Sequence, residues 1–394
     1  MTPLAKIASL ALLAAAATAL PCQVAIDPVV KGTPQVLGLV TNPAVSRDSC
    51  GSVRFQNRDF WTCRDTQNLD EFGNPLLPIV SSTAAWTKFN PDGSPHIEPF
   101  LDGSRGLLMT GDNGPNNRNV YFPLQPGQCE NNTAGMCPDG TRYAIWPDSP
   151  PMVTSGRYMG IVTAYTWILN TRIYRNFSTD IPDPSVSLFK MTYDPSTMDQ
   201  DEDAFPVVSL VDGSFWAQEA IPYGSYGNII RHGTAYLYGQ TSSGTVALAK
   251  VPADSVEDKS KYEYFVDGAW TRTAPSKDDP KANIPLASAG GQGTYYFSEA
   301  WQSYVWIGQA AMSVSANFFI TTAPDPWGPW QPAKEFYEGE NGSAELSAYS
   351  LQAHPDMVPK WENQIYISYT KTDRREGVDF DLYSTPLILV EWER

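Results

Sequence analysis

The chain has 394 residues, of which 42% are hydrophobic and 18% charged, with 27 Lys and Arg against 43 Asp and Glu for a formal net charge of -16. That hydrophobic share excludes a disordered chain, and the negative balance without a basic run excludes nucleic acid and anionic membrane surfaces as natural partners. Low charge beside 29 Gly, 33 Pro, 20 Tyr and 12 Trp suits short strands joined by tight turns, so an all-β fold is expected.

Lys6, an apolar run from Ile7 to Ala17 and the small residues Ala17-Thr18-Ala19 predict a secretory signal peptide over residues 1–20, cleaved near Ala19 or Pro21. Residues 21–394 then form a single domain, expected outside the cell, with no later run of membrane-spanning length. In that oxidising setting Cys50 with Cys63 and Cys129 with Cys137 are candidate disulfides, and Cys22 is left over. Sequons at Asn131, Asn176 and Asn341 suit a glycosylated surface.

Five segments share one design, an apolar strand, a turn, then a strand dense in aromatic and β-branched residues. They are CGSVRFQNRDFWTCRDT (50–66), PMVTSGRYMGIVTAYTW (151–167), GNIIRHGTAYLYGQT (227–241), FSEAWQSYVWIGQA (297–310) and PDMVPKWENQIYISYT (355–370). Further strand-like runs, TVALAKV (245–251), NFFITTA (317–323) and PLILVEW (386–392), lie between and after them. Helical periodicity is scarce, so sheet must bury sheet. About 370 mature residues divided by five leaves about 74 per unit, enough for four strands and long loops. The first architecture is therefore a five-bladed β-propeller of mostly four-stranded antiparallel blades, and the second is two packed β-sandwiches. DQDED (199–203) and RTAPSKDDPKAN (272–283) read as exposed loops.

The sequence holds no G-x-S-x-G elbow, P-loop, G-x-G-x-x-G or H-E-x-x-H motif, and His96, His232 and His354 are too scattered to make a triad or a metal set. No cofactor and no metal ion are expected. What remains is carboxylates beside aromatic rings, the residue types that hydrolyse and hold sugars: one carboxyl protonates the leaving oxygen, the other activates water or attacks the sugar carbon, and flat rings pack on sugar C–H faces. Asp48 just before the first hairpin and Asp65 at its end are brought together if the segment folds back. Like charges held that close raise one pKa, while Arg47 and Arg64 are positioned to hold the other carboxyl ionised. The same acids equally suit local turns or ion pairs with those arginines. Asp148 and Glu219 recur at the entrances of the second and third hairpins, and Glu299 lies in the fourth. Trp61, Trp146 and Trp216 stand beside acids as candidate sugar platforms, although core packing is the commoner use of such rings.

At GTAYLYGQTSSGTVALAKVPADSVEDKSKYEYFVDGAW (233–270) the chain resembles a secreted family known as a domain of unknown function. The first hairpin, ending WTCRDT, resembles that family's aromatic-x-x-x-Asp-Thr element, and QIYISYT followed by PLILVEW resembles its closing blade. Its characterised bacterial members are five-bladed propellers that cut D-arabinan internally, so the resemblance implies an acid pair on inner strands, with Asp65 and Asp48 at the matching positions and Asp148 and Glu219 matched by place. Cys63-Arg64 before Asp65, where bacterial relatives carry a small residue, together with the cysteine pairs and sequons, resembles a fungal branch.

The expectation is a secreted, monomeric, endo-acting glycoside hydrolase on a furanose-containing polysaccharide, with Asp48 and Asp65 as its acid pair. Two alternatives stand beside it: a non-catalytic carbohydrate-binding propeller, and a surface or matrix interaction protein.

Overall fold

The computed structural model describes residues 25–100, 103–111, 120–132, 134–198, 201, 203–359, 362–378 and 380–393. The expected signal segment, Cys22 and parts of the 199–203 loop lie outside the described residues. Strands dominate what is described, and helix is confined to one α-turn at Pro195–Met198 and three 3₁₀ turns. The cause is local: β-branched and aromatic runs such as VTAYTWIL and VSLFKMTY are punctuated by turn residues. Two hairpins close on two-residue turns, His232-Gly233 and Asp267-Gly268, with both central residues at positive φ. That backbone twist matches the twist of the strands it joins.

The described residues form seven sheets, and five of these, paired almost entirely antiparallel, follow one another along the chain. The first pairs Gly51–Phe55, Arg58–Cys63 and Thr83–Lys88. The second runs through Met152–Ser155, Val162–Leu169, Val186–Tyr193 and Val207–Trp216. Gly227–Arg231 leads a five-stranded third sheet, and Gly290–Ser298 leads a four-stranded fourth. The last sheet begins with Ala348–His354, Gln364–Asp373 and Pro386–Glu391, then recruits Gln35–Thr41 from the other end of the chain. The all-β expectation is met, but the sheets are not uniformly four-stranded. The last holds seven strands, and Arg105–Leu108 joins Gln35–Thr41 in parallel. Each added strand satisfies backbone groups that an open edge would leave bare.

Four of the five expected hairpins form where the sequence placed them. The fifth is displaced: its leading strand is Ala348–His354, and residues 355–357 form a 3₁₀ turn. Pro355 and Pro359 explain the shift, since proline cannot donate to a ladder inside a sheet.

Hydrophobic clusters lie between consecutive sheets. Phe55, Phe60 and Trp86 of the first sheet pack on Ile168, Phe189 and Tyr193 of the second. Trp167 and Leu188 continue onto Leu237 and Ala249 of the third, whose Tyr238 and Leu248 meet Tyr295 and Trp306 of the fourth. Val305 and Phe318 meet Leu351 and Ile367 of the last sheet, and Leu387 and Tyr366 return to Trp61 and Ala85 of the first. The leading strands are also tied side by side. Ser52 bonds His354 Nδ1 at 2.9 Å and the Arg54 amide bonds Asp356 at 3.2 Å, so these two strands run in the same direction. The Ala353 amide donates to Thr294 at 3.0 Å, and Asn228 donates to the Pro150 carbonyl at 3.1 Å.

Both candidate disulfides form, Cys50–Cys63 and Cys129–Cys137. Asn131, Asn176 and Asn341 are exposed. Among the described residues no helix is long and apolar enough to cross a membrane.

Gly38 sits at a bulge in the strand that joins the two ends of the chain. Its φ is +114°, and a Cβ there would lie 1.7 Å from the Arg105 carbonyl oxygen. Gly38→Ala is therefore expected to cost about 2–5 kcal/mol through backbone strain and overpacking. Urea unfolding checks this: an unchanged midpoint would show that the junction tolerates the side chain.

Candidate functional site

A short ladder assembles the acids. Val45–Arg47 pairs antiparallel with Thr66–Leu69, with Arg47 opposite Thr66. The pairing continues one step further: the Asp48 amide donates to the Asp65 carbonyl and the Arg64 amide to the Asp48 carbonyl, each at 2.9 Å. Cys50–Cys63, with Cα atoms 4.0 Å apart, clamps the next step. Asp48 and Asp65 are therefore neighbours across a chain reversal, as the sequence predicted, and both are buried.

Asp65 is held by residues from elsewhere. Arg142 addresses both of its oxygens, Nη1 at 3.0 Å and Nη2 at 2.6 Å, and Trp146 Nε1 donates at 2.8 Å. Arg64, expected to steady one of the first two acids, instead pairs with Asp148. Trp146 lies between the two cations, its ring 5.5 Å from the Arg64 guanidinium carbon and 5.9 Å from that of Arg142. Asp148 is the most open of the three acids, its side chain 25% exposed against 3% for Asp65.

Burial pushes the Asp48 carboxyl up to about 6 from 3.8, opposed by Arg64, reinforced by Asp65, and drawn back by hydrogen bonds from Ser49 and Tyr349. Burial also raises Asp148, with the Arg64 charge and hydrogen bond opposing it. For Arg64, burial works against the charge, and Asp148 and Asp48 more than offset it. The result is one carboxyl raised to about 6 beside two others engaged by arginines, a division that suits proton transfer.

The remaining predicted residues lie elsewhere. Arg47 is buried and donates to Thr83 Oγ1 at 3.4 Å and the Met109 sulfur at 3.3 Å. Trp61 is fully buried, donating to Thr87 at 2.8 Å with its ring 4.8 Å from His354, so the platform reading is corrected to a core one. Trp216 is likewise corrected: it packs edge-on against Phe215, Tyr223 and Tyr262 inside the core between the second and third sheets. Glu219 occupies an exposed turn at φ 65°, bonded through its amide to the Asp183 carbonyl at 3.0 Å, apart from the acid cluster. Glu299 pairs with Arg231 at 2.5 Å.

A cavity of about 450 Å³ runs beside the leading strands but does not include the three acids. Asp48 and Asp148 precede the strands they introduce, whereas the cavity-lining Arg157, Glu299 and Asp356 follow theirs. The cavity also reaches Ser149 and Pro150, which directly follow Asp148, so it ends beside the acid cluster without being lined by the acids themselves. The cluster's chemistry, and not the size of the void, marks it as the candidate site. Among the described residues no group of three or more His, Cys, Asp and Glu is arranged to hold a metal ion.

Sequence reasoning missed Arg142, which bonds Asp65, Tyr349, which hydrogen-bonds Asp48, and Tyr383, whose hydroxyl is pushed up by burial and by the charges of Asp48 and Asp65. Arg142 had a faint signal, a lone arginine in the apolar run TRYAIW four residues before Trp146. The tyrosines arrive from a sheet about 300 residues away in sequence and had none.

The molecule is thus an all-β protein of serially packed sheets carrying a largely buried three-carboxyl, two-arginine cluster, with Asp148 and Arg64 half-buried, where leading strands begin. The chain belongs to the family described as Domain of unknown function (DUF5005), whose model matches residues 170–385. No curated protein matches it. Among solved structures it is similar to a candidate hydrolase from Bacteroides ovatus ATCC 8483, with 18% identity over 90% of this chain and 87% of that one, at a TM-score of 0.59. Fainter likenesses are to a candidate exo-β-1,3-galactanase from Bifidobacterium bifidum (10% identity, 91% and 93% of the chains, TM-score 0.46) and a GH43_1 enzyme from Xanthomonas citri (9%, 90% and 89%, TM-score 0.44). The first likeness concerns the fold, and the fainter two add nothing to it.

The raised Asp48 carboxyl has a consequence for stability. Between about pH 4 and pH 6 the folded protein binds more protons than the unfolded chain, so stability falls as pH rises and the full penalty persists above 6. Asp48→Asn is expected to be more stable than the parent at pH 7.5, by up to about 3 kcal/mol, with the gain vanishing near pH 4. Urea midpoints at the two pH values check this, and a gain that does not depend on pH would contradict it.

Proposed function

We propose that the protein is a secreted glycoside hydrolase built as a five-bladed β-propeller and acting internally on a furanose-containing polysaccharide of the D-arabinan kind. The closed series of five sheet interfaces supports the propeller reading. The N-terminal signal pattern, both disulfides and the exposed sequons support secretion. The observation that carries the activity is the buried, proton-retaining Asp48 set directly beside Asp65 and the Arg64–Asp148 pair. Asp48 serves as the acid that protonates the leaving oxygen. Asp148, the most exposed of the three, acts on water or the sugar carbon, and Asp65, saturated by Arg142 and Trp146, keeps Asp48 protonated by its charge. Trp146 offers the partly exposed ring face for a sugar.

One observation favours a second reading, a non-catalytic carbohydrate-binding propeller. Both Asp65 and Asp148 are occupied by arginines, as in sites that orient a ligand without reacting with it.

Reducing-end release from D-arabinan and a panel of related glycans separates the two. Asp48→Asn and Asp148→Asn are each expected to lower kcat by about 10²–10⁴-fold. Wild-type protein that binds glycan by calorimetry but releases no reducing ends establishes the second reading instead. Full turnover in Asp48→Asn removes that residue from the mechanism.

A further inference from the structure

Beside Asp48 lies a row of hydrogen-bonding groups drawn from three parts of the chain. Ser49 Oγ contacts the Asp48 carboxyl, Ser350 Oγ lies 2.5 Å from Ser49 Oγ, and Gln292 Oε1 lies 2.5 Å from Ser350 Oγ. Ser350 belongs to the leading strand of the last sheet and Gln292 to that of the fourth. Both serines are buried, and both hold left-handed backbone, φ 50° at Ser49 and 53° at Ser350. Non-glycine residues adopt that conformation at a cost, and two of them meeting hydroxyl to hydroxyl beside a buried acid point to a functional constraint.

The protons in this row can be counted. Three oxygen-to-oxygen contacts need three protons, and the two hydroxyls supply two. With a carboxylate at one end and the amide oxygen at the other, one contact would set lone pair against lone pair. A third proton enters in only two ways. In the first, a neutral Asp48 donates to Ser49, Ser49 to Ser350, and Ser350 to Gln292 Oε1. In the second, Gln292 turns its amide so that Nε2 donates to Ser350, and both hydroxyls reverse toward an ionised Asp48. We infer that Ser49, Ser350 and Gln292 form a two-state relay in which the orientation of the Gln292 amide and the protonation of Asp48 change together.

Resting on the reading of Asp48 as the proposed acid, this makes Gln292 a positioning residue. Its carbonyl-in state presents a neutral Asp48. When the Asp48 O–H bond breaks and its proton bonds to the departing oxygen, whose bond to the sugar carbon breaks and leaves its electron pair on that oxygen, the reversed row donates to the new carboxylate; within the row only hydrogen bonds change. The charged and titratable groups facing Asp48 are Arg64 and Asp65 from its own reversal, Tyr349 from the last sheet's leading strand and Tyr383 from Leu382–Ser384. None of them belongs to the row, so their influence on Asp48 persists when the row is broken.

The test is a titration of the intact protein without substrate, carrying side-chain ¹⁵N-glutamine and carboxyl ¹³C-aspartate. The Gln292 and Asp48 signals are assigned by their loss in Gln292→Met and Asp48→Asn. The Gln292 amide is expected to shift with the same midpoint as the Asp48 carboxyl. Ser350→Gly removes the hydroxyl while suiting the positive φ. In it the Gln292 amide is expected to lose its pH response, and the Asp48 midpoint to fall by about one pH unit, because Ser49 is then free to donate to the carboxylate. A Gln292 amide indifferent to the Asp48 titration in the wild type, or an unmoved midpoint in Ser350→Gly, overturns the relay. Glycan turnover is scored separately: a coupled titration with no turnover on any glycan leaves the relay standing and removes the proposed function, and the reverse result does the opposite.

Discussion

The candidate site depends on one piece of backbone pairing. Two amide-to-carbonyl bonds between residues 48 and 64–65, followed at once by the Cys50–Cys63 link, hold two acids against each other where their own charges would drive them apart. The charge of Asp65 beside a buried Asp48 adds to burial in favouring the protonated form of Asp48, so the pair avoids holding two full charges together. The covalent clamp limits how far the reversal can open. The position of Asp48 is thus set by the main chain, and its protonation is left to the surrounding side chains.

Those side chains divide the charge unevenly. Three carboxyls face two guanidiniums, and each guanidinium commits to one partner: Arg142 forks onto Asp65, and Arg64 takes Asp148. Asp48 has no guanidinium bonded to it and is drawn back only by the field of Arg64 and by hydrogen bonds from Ser49 and Tyr349, so burial prevails. Trp146 enforces the separation, because its ring stands beside both cations while its N–H points at Asp65. The raised carboxyl of Asp48 follows from its burial and from this division of charge, and needs no special chemistry of that residue.

Much of this was legible in the sequence where the signal was local. Hairpins whose strands lie within about twenty residues declared themselves through alternation and turn residues, and the nearness of Asp48 to Asp65 followed from one of them. Facing was harder to read. Arg58–Cys63 is buried along nearly its whole length, so the two-residue period that separates core from surface is absent and Trp61 looked as available as Trp146. Trp216 was misread for the same reason, its neighbour Phe215 being buried as well. Contacts across large sequence separations, such as Arg142 on Asp65 or Tyr349 on Asp48, leave no trace in a single chain, because the fold alone brings them together. The displaced fifth hairpin shows the limit of pattern against backbone chemistry: an aromatic-rich segment read as a strand start, but its prolines made it a turn.

The recruitment of Gln35–Thr41 beside Pro386–Glu391 bears on how the molecule comes into being. A ribosome delivers one half of that pairing hundreds of residues before the other, so the edge of the earlier strand that faces Pro386–Glu391 waits unpaired while the intervening sheets are made, its other edge already held by Arg105–Leu108. The seam forms late, after the other strands of that sheet have been made. Re-cutting the gene so that the new ends fall at the exposed His232-Gly233 turn would convert the late seam into continuous polypeptide, and the waiting period would disappear.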